Sequence, residues 1–180
     1  DPAVGPVLDL TMELTGGGQR NFQMIFADDW SFATQEKRLA SSYYPPPRGG
    51  QPLLVQPMTD GPDGPDDPIE ASLVQLLNTA QKRVWLTAGY FGPHEPLLTA
   101  LQLSARRGVD VRMLVAGKSD HPLLVNIGRS YYEELLRHGV KIFEYEKGIN
   151  HAKVALVDQA WLMVGSAHLA VRSLRLNFER

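Results

Sequence analysis

The side chains best suited to chemistry lie close together near the end of the chain: His151-Ala152-Lys153, then Asp158, then Gly165-Ser166. Side chains alternate faces along an extended strand, so His151 and Lys153, two residues apart, are expected on one side. An imidazole and an ammonium sharing a small pocket suit phosphoryl chemistry. The ammonium holds non-bridging phosphate oxygens as a point charge, and the imidazole attacks phosphorus or protonates a leaving oxygen. Ser166, in a glycine-preceded turn, is placed to add a hydroxyl and a backbone N–H to the same oxygens, the more so if a helix begins there. This constellation needs no metal and no other cofactor.

The elements that must position these residues are legible in the hydrophobic pattern. A helix is predicted over Pro68–Lys82, with Asp67 as its cap and Leu73, Leu76, Leu77 and Ala80 on one face, followed by a strand Val84–Thr87. A helix Glu95–Arg107, stopped by Gly108, leads to a strand Val109–Val115. A third helix, Pro122–His138, ends at Gly139 before a strand Val140–Tyr145. Strands Ala152–Val157 and Trp161–Val164 and a short helix after Ser166 complete the pattern. Helices alternating with short apolar runs predict an α/β layered sandwich.

Ahead of this region the pattern is less regular. Asp1 to Gly18 reads as a short amphipathic piece without an evident partner. Over Gln19–Thr34 the residues Phe22, Ile25, Phe26, Trp30 and Ala33 recur at helical spacing and predict a helix with a buried stripe. Between Leu39 and Pro68 the runs Pro45-Pro46-Pro47, Gly49-Gly50 and Gly61-Pro62-Asp63-Gly64-Pro65 mark a linker or long loop, with one strand expected at Leu53-Leu54-Val55. The domain boundary is therefore set near residue 51.

With 180 residues, 43% hydrophobic and 21% charged, the chain can bury a core, and the absence of cysteine excludes disulfides and thiolate chemistry. No run of eighteen apolar residues occurs, and the opening Asp1-Pro2-Ala3 has no signal-peptide character. The net charge of −2 hides an asymmetry: residues 1–81 hold 4 Lys/Arg and 11 Asp/Glu, whereas 82–180 hold 14 and 9. A phosphate would thus be handled in the second part, and the acidic first part argues against nucleic acid.

The run His-Ala-Lys-Val-Ala-Leu-Val-Asp, followed by Val-Gly-Ser-Ala and Arg-Ser-Leu-Arg-Leu-Asn-Phe-Glu, resembles the H-x-K-x4-D-x6-G-S motif of the phospholipase D superfamily, and within it the bacterial cardiolipin synthases. The resemblance extends back through Thr87–Pro93, Arg107–Arg112 and Gly128–Tyr132. It implies a phospholipase D-like α/β sandwich lobe over 51–180. It also implies a phosphohistidine mechanism shared by two motifs, in which one histidine is nucleophile and the other acid and then base. By position, His151 is one of the pair, Lys153 binds phosphate and Ser166 supports it, while Asp158 is the motif carboxylate that organises the site. Glu179 stands where the family keeps a carboxylate bonded to the histidine's far nitrogen.

Two departures stand out. His168 occupies a position where the family usually has asparagine, and still offers a hydrogen bond to phosphate. His-x-Lys also occurs once, not twice. Since the segment from Gly5 to Phe26-Ala27-Asp28-Asp29-Trp30 resembles the stretch after the first motif in two-lobed members, residues 1–50 are read as a remnant of a preceding lobe plus linker.

The resemblance therefore implies one lobe of a phosphatidyltransferase that joins two phosphatidylglycerol molecules with release of glycerol. Its partners would be a membrane surface and a second motif-bearing lobe or a second copy of the chain. Its setting would be a bacterial cell membrane reached through segments outside this sequence. Two alternatives are a homodimeric phosphodiesterase and a single lobe that only binds phospholipid. His121, after Ser119-Asp120, reads first as a helix cap, with a substrate contact as the alternative, and Tyr90-Phe91 reads as a pocket lining or a packed strand end.

Overall fold

The computed structural model describes residues 5–36, 41–44, 46, 49, 53–62 and 66–179; parts of the Pro/Gly-rich linker, the first four residues and residue 180 lie outside them. The chain forms two compact units, one made of residues 1–10 and 59–180 and the other of 11–58.

In the larger unit, strands β2 (Arg83–Ala88), β4 (Asp110–Ala116), β5 (Lys141–Tyr145), β7 (Val154–Val157) and β8 (Trp161–Val164) make a sheet of order β5-β4-β2-β7-β8. The first three run parallel, β7 is antiparallel to β2, and β8 closes a hairpin on β7. Helices supply the crossovers that parallel strands require: α2 (Pro68–Thr79) precedes β2, and α3 (Glu95–Arg106) links β2 to β4. The next connection, to β5, runs through α4 (Pro122–Arg129) and α5 (Tyr132–Arg137). The strand alternation is sharp. Val84, Leu86, Val111, Met113 and Val157 are at most 4% exposed and share the core with Leu73, Leu77, Leu97, Leu101 and Leu135, whereas Trp85, Phe143 and Leu162 on the opposite face reach solvent.

Short pairings complete the unit and build the site. β1 (Val7–Leu8) runs parallel to β6 (Ile149–Asn150), and β3 (Phe91–Gly92) runs parallel to β9 (Leu169–Ala170), which leads into α6 (Val171–Arg175). The opening stretch thus has a partner that its composition did not reveal.

In the larger unit the expected helices and strands are present, β7 starting at Val154 rather than at Ala152, with three further differences. The helix predicted over Pro122–His138 is two, with the break at Ser130-Tyr131, where the Ser130 hydroxyl donates to the Ile127 carbonyl at 2.6 Å. The last helix begins at Val171 rather than at Ser166. Asp67 stands at the N-cap of α2 without a side-chain cap bond, its carboxylate lying 3.4 Å from Arg175.

In the smaller unit α1 spans Gln19–Thr34 and ends at Gln35, which is in the left-handed region and donates to the Ser31 carbonyl. Its predicted stripe is not buried: Ala27 is, but Phe22, Phe26 and Trp30 are 43%, 56% and 37% exposed. Leu53-Leu54-Val55 is not a strand. It has no ladder partner among the described residues, and Leu53 and Leu54 are 76% and 90% exposed.

Candidate active site

His151 follows β6 directly and is clamped from two sides. Its backbone N–H donates to the Leu8 carbonyl at 2.8 Å, continuing the β1–β6 pairing. Asn150 beneath it is fully buried, and its amide donates to Thr87 Oγ1 at 2.9 Å and to the carbonyls of Leu114 at 3.1 Å and Ala88 at 3.3 Å. The histidine is thereby tied to the carboxyl ends of β2 and β4, where open α/β sheets place their sites.

The carboxylate on the imidazole is Asp9, whose Oδ2 lies 2.8 Å from His151 Nδ1. An acceptor at Nδ1 requires the proton there, so in the neutral ring the lone pair resides on Nε2. The His151 hydrogen bond, first among its causes, holds the Asp9 carboxyl below the usual aspartate range. Delivery of Asp9 depends on Gly148: a Cβ there would sit 1.9 Å from the Pro6 carbonyl oxygen, so only glycine lets β1 lie against this segment.

Residues 151–153 precede β7 and are not part of it, so strand alternation is not what unites His151 and Lys153. The half-buried Lys153 turns its ammonium onto the His151 carbonyl. Burial lowers its pKa, while the charges of Asp9 and Glu179 act in the opposite sense.

His168 is brought in by the β3–β9 register, which pairs Phe91 with Leu169 and sets the residues before them side by side. The Tyr90 backbone N–H donates to His168 Nδ1 at 3.3 Å, leaving the ring proton on Nε2. The His168 ring lies edge-on to His151, centroids 5.5 Å apart, and 4.4 Å from Tyr90. Gly89 makes room, since a Cβ there would be 3.0 Å from His168 Cε1 and 2.6 Å from the Asn150 carbonyl oxygen. Burial first, then the Lys153 and His151 charges, push the His168 pKa down to about 4, so at neutral pH the ring is an uncharged N–H donor.

Ser166 and Glu179 meet each other, the hydroxyl donating to the carboxylate. Glu179 also accepts from Asn177 Nδ2 at 3.3 Å and is only 5% exposed, its backbone paired with Asp60 in an antiparallel bridge. It stands close enough to Lys153 to act on that charge, but the carboxylate at His151 Nδ1 is Asp9 and not Glu179.

Asp158 is elsewhere. It opens the β7–β8 turn with φ of 52°, followed by Gln159 at 62°. Its carboxylate accepts the backbone N–H groups of Gln81, Lys82 and Arg83 at 2.7, 2.8 and 2.9 Å. Lys153 is at the other end of β7, about 16 Å away along an extended chain. The motif aspartate therefore pins the hairpin to the start of β2. The sequence pattern gave no sign of Asp9 or Asn150, because neither lies in the motif and their partners are fixed by long-range pairing.

Over residues 73–180 the chain matches the family described as cardiolipin synthase, PLD-like domain. The chain belongs to this family. It is 40% identical over 178 residues to cardiolipin synthase A of Pseudomonas aeruginosa, covering 99% of this chain and 36% of that protein. It is 38% identical over 177 residues to cardiolipin synthase of Geobacillus thermodenitrificans, covering 95% and 34%. The chain thus spans about a third of the length of these relatives.

Among solved structures, it resembles the phospholipase D family member Nuc from Salmonella typhimurium, with a TM-score of 0.53 and 20% identity, over 61% of this chain and 70% of that one. It also resembles phosphatidylserine synthase from Haemophilus influenzae, with a TM-score of 0.53 and 17% identity, over 67% and 32%. At these identities the likeness establishes the phospholipase D-like α/β fold. Within this family fold, His151, Lys153 and His168 converge at one end of the sheet and Asp158 does not.

Proposed function

We propose that this chain is one catalytic lobe of a cardiolipin synthase-type phosphatidyltransferase. The observation that carries it is the imidazole of His151, fixed by Asp9 in the tautomer with a lone pair on Nε2 and flanked by Lys153 and the neutral donor His168. Nε2 attacks the phosphorus of one phosphatidylglycerol: a P–N bond forms, the P–O bond to glycerol breaks, and the departing oxygen takes a proton from a second acid. A second phosphatidylglycerol hydroxyl then bonds to phosphorus, gives its proton to that same group, and the P–N bond breaks. Lys153 and His168 hold the non-bridging oxygens, one by charge and one by its Nε2–H. Ser166 and Glu179 act from the Lys153 side.

The sequence holds one His-x-Lys, so the second acid has to come from another lobe or from a second copy of the chain. No helix among the described residues is long and apolar enough to cross a membrane; association with a bacterial membrane is part of this reading. The test is lipid mass spectrometry of phosphatidylglycerol vesicles incubated with the purified chain and with His151→Ala. Cardiolipin formed by the first and not the second supports transfer with a second copy supplying the acid. If a chain carrying the remaining two thirds of a relative also yields no product, the phosphatidyltransferase reading is overturned.

A further inference from the structure

Four rings run in a row from the motif histidine: His151, His168, Tyr90 and His121, with successive centroids 5.5, 4.4 and 6.5 Å apart. The last belongs to the loop between β4 and α4. Tyr90 fastens that loop to the phosphate pocket, its hydroxyl donating to Asp120 Oδ1 at 3.2 Å. The Ser119 hydroxyl donates to the same oxygen at 3.0 Å and accepts the His121 backbone N–H at 3.0 Å. Ser119 is 7% exposed, so the root of the loop is fixed. The tips are open: the side chains of His121 and Asp120 are 66% and 51% exposed, with Nε2 and Oδ2 3.8 Å apart, beyond hydrogen-bond reach of each other.

One carboxylate oxygen of Asp120 is thus occupied by the protein, while the other, beside an imidazole, faces outward one ring beyond the phosphate ligands. The Ser119 hydrogen bond, ahead of the Tyr90 bond, holds the Asp120 carboxyl below its usual range, and burial raises the Tyr90 phenol, which stays a neutral donor. An ionised carboxylate accepts from O–H groups and repels a second anion. Beside a phosphate pocket that chemistry selects an uncharged headgroup rich in hydroxyls.

We propose that Asp120 and His121, held to the phosphate pocket by Tyr90, bind the free hydroxyls of a polyol headgroup esterified to the bound phosphate. The inference rests on the phosphate-binding role proposed for His151, Lys153 and His168, and it adds a recognition element on the headgroup side. A carboxylate that accepts a hydrogen bond from a hydroxyl is a strong discriminator, because a ligand lacking the hydroxyl leaves the bond unmade.

The test uses two phosphodiesters, glycerophosphoglycerol and dimethyl phosphate, titrated into the chain and followed by NMR shifts of the histidine rings. The chain is expected to bind glycerophosphoglycerol about tenfold more tightly. Asp120→Ala and His121→Ala should each bring that preference to within about twofold while dimethyl phosphate binding stays unchanged. Asp120→Asn, which keeps an acceptor for Tyr90, repeats the loss without disturbing the loop. Lys153→Ala should weaken both ligands. Equal affinities in the unmodified chain, or a preference that survives the loop variants, would overturn the headgroup site and leave the phosphate pocket standing. Absence of binding by either diester would overturn the phosphate reading and the inference with it.

Discussion

Asp9 Oδ2 lies 2.8 Å from His151 Nδ1, although the two residues are 142 positions apart. The bond joins the opening strand to the motif and decides which nitrogen of the neutral imidazole keeps its lone pair. An asparagine at position 9 presents either an oxygen or an NH2 group to Nδ1, so Asp9→Asn should release the tautomer. The His151 ring nitrogens would then shift in 15N spectra toward a mixture, and turnover in the lipid assay should fall about a hundredfold. Unchanged His151 signals would contradict the assigned role.

Gly148 offers an independent way to remove the same bond. A methyl at this position collides with the Pro6 carbonyl, so Gly148→Ala should displace β1 and carry Asp9 away with it. The expected result is the His151 signature of Asp9→Asn in a protein whose Asp9 is intact. A normal His151 spectrum would mean that β1 is held by other contacts.

Asp158 is predicted to matter for stability and not for phosphate. Asp158→Ala removes the acceptor of three backbone N–H groups and puts alanine at positive φ, a loss of about 2 kcal/mol in urea denaturation. Asparagine tolerates the left-handed region and keeps one acceptor oxygen, so Asp158→Asn should retain a good part of that stability. Dimethyl phosphate affinity should be the same in both variants; a loss in Asp158→Asn would bring the aspartate back to the site.

His168 makes stability depend on pH in a defined window. Its folded pKa, near 4, is depressed from the ordinary 6.5, so between these values the unfolded chain binds the extra proton. Stability from this group is therefore complete above about 6.5 and is lost as pH falls toward 4. The urea midpoint should decline across that range, and His168→Asn should flatten the decline. An equally steep profile in the variant would assign the effect to other groups.

The sequence by itself determined the layered α/β class, the main helices and strands of residues 68–164 apart from the break between α4 and α5 and the short strands β3 and β6, and the family. These rest on local periodicity, helix-ending glycines and a contiguous motif, which need no knowledge of distant partners. It also placed His151, Lys153 and His168 among the candidates. What each of them touches was decided by tertiary structure. β1 was illegible because a two-residue strand has no period, and its pairing with β6 is what delivers Asp9. Asp158 belongs to the same motif as His151, but a strand of β7's length carries it to the opposite end of the sheet, where it holds backbone N–H groups. Leu53–Val55 shows the converse: a local run suited to a strand pairs with no edge among the described residues, and a strand exists only where another edge meets it. Motif membership is a property of sequence order, whereas membership of a site is a property of which strand ends meet.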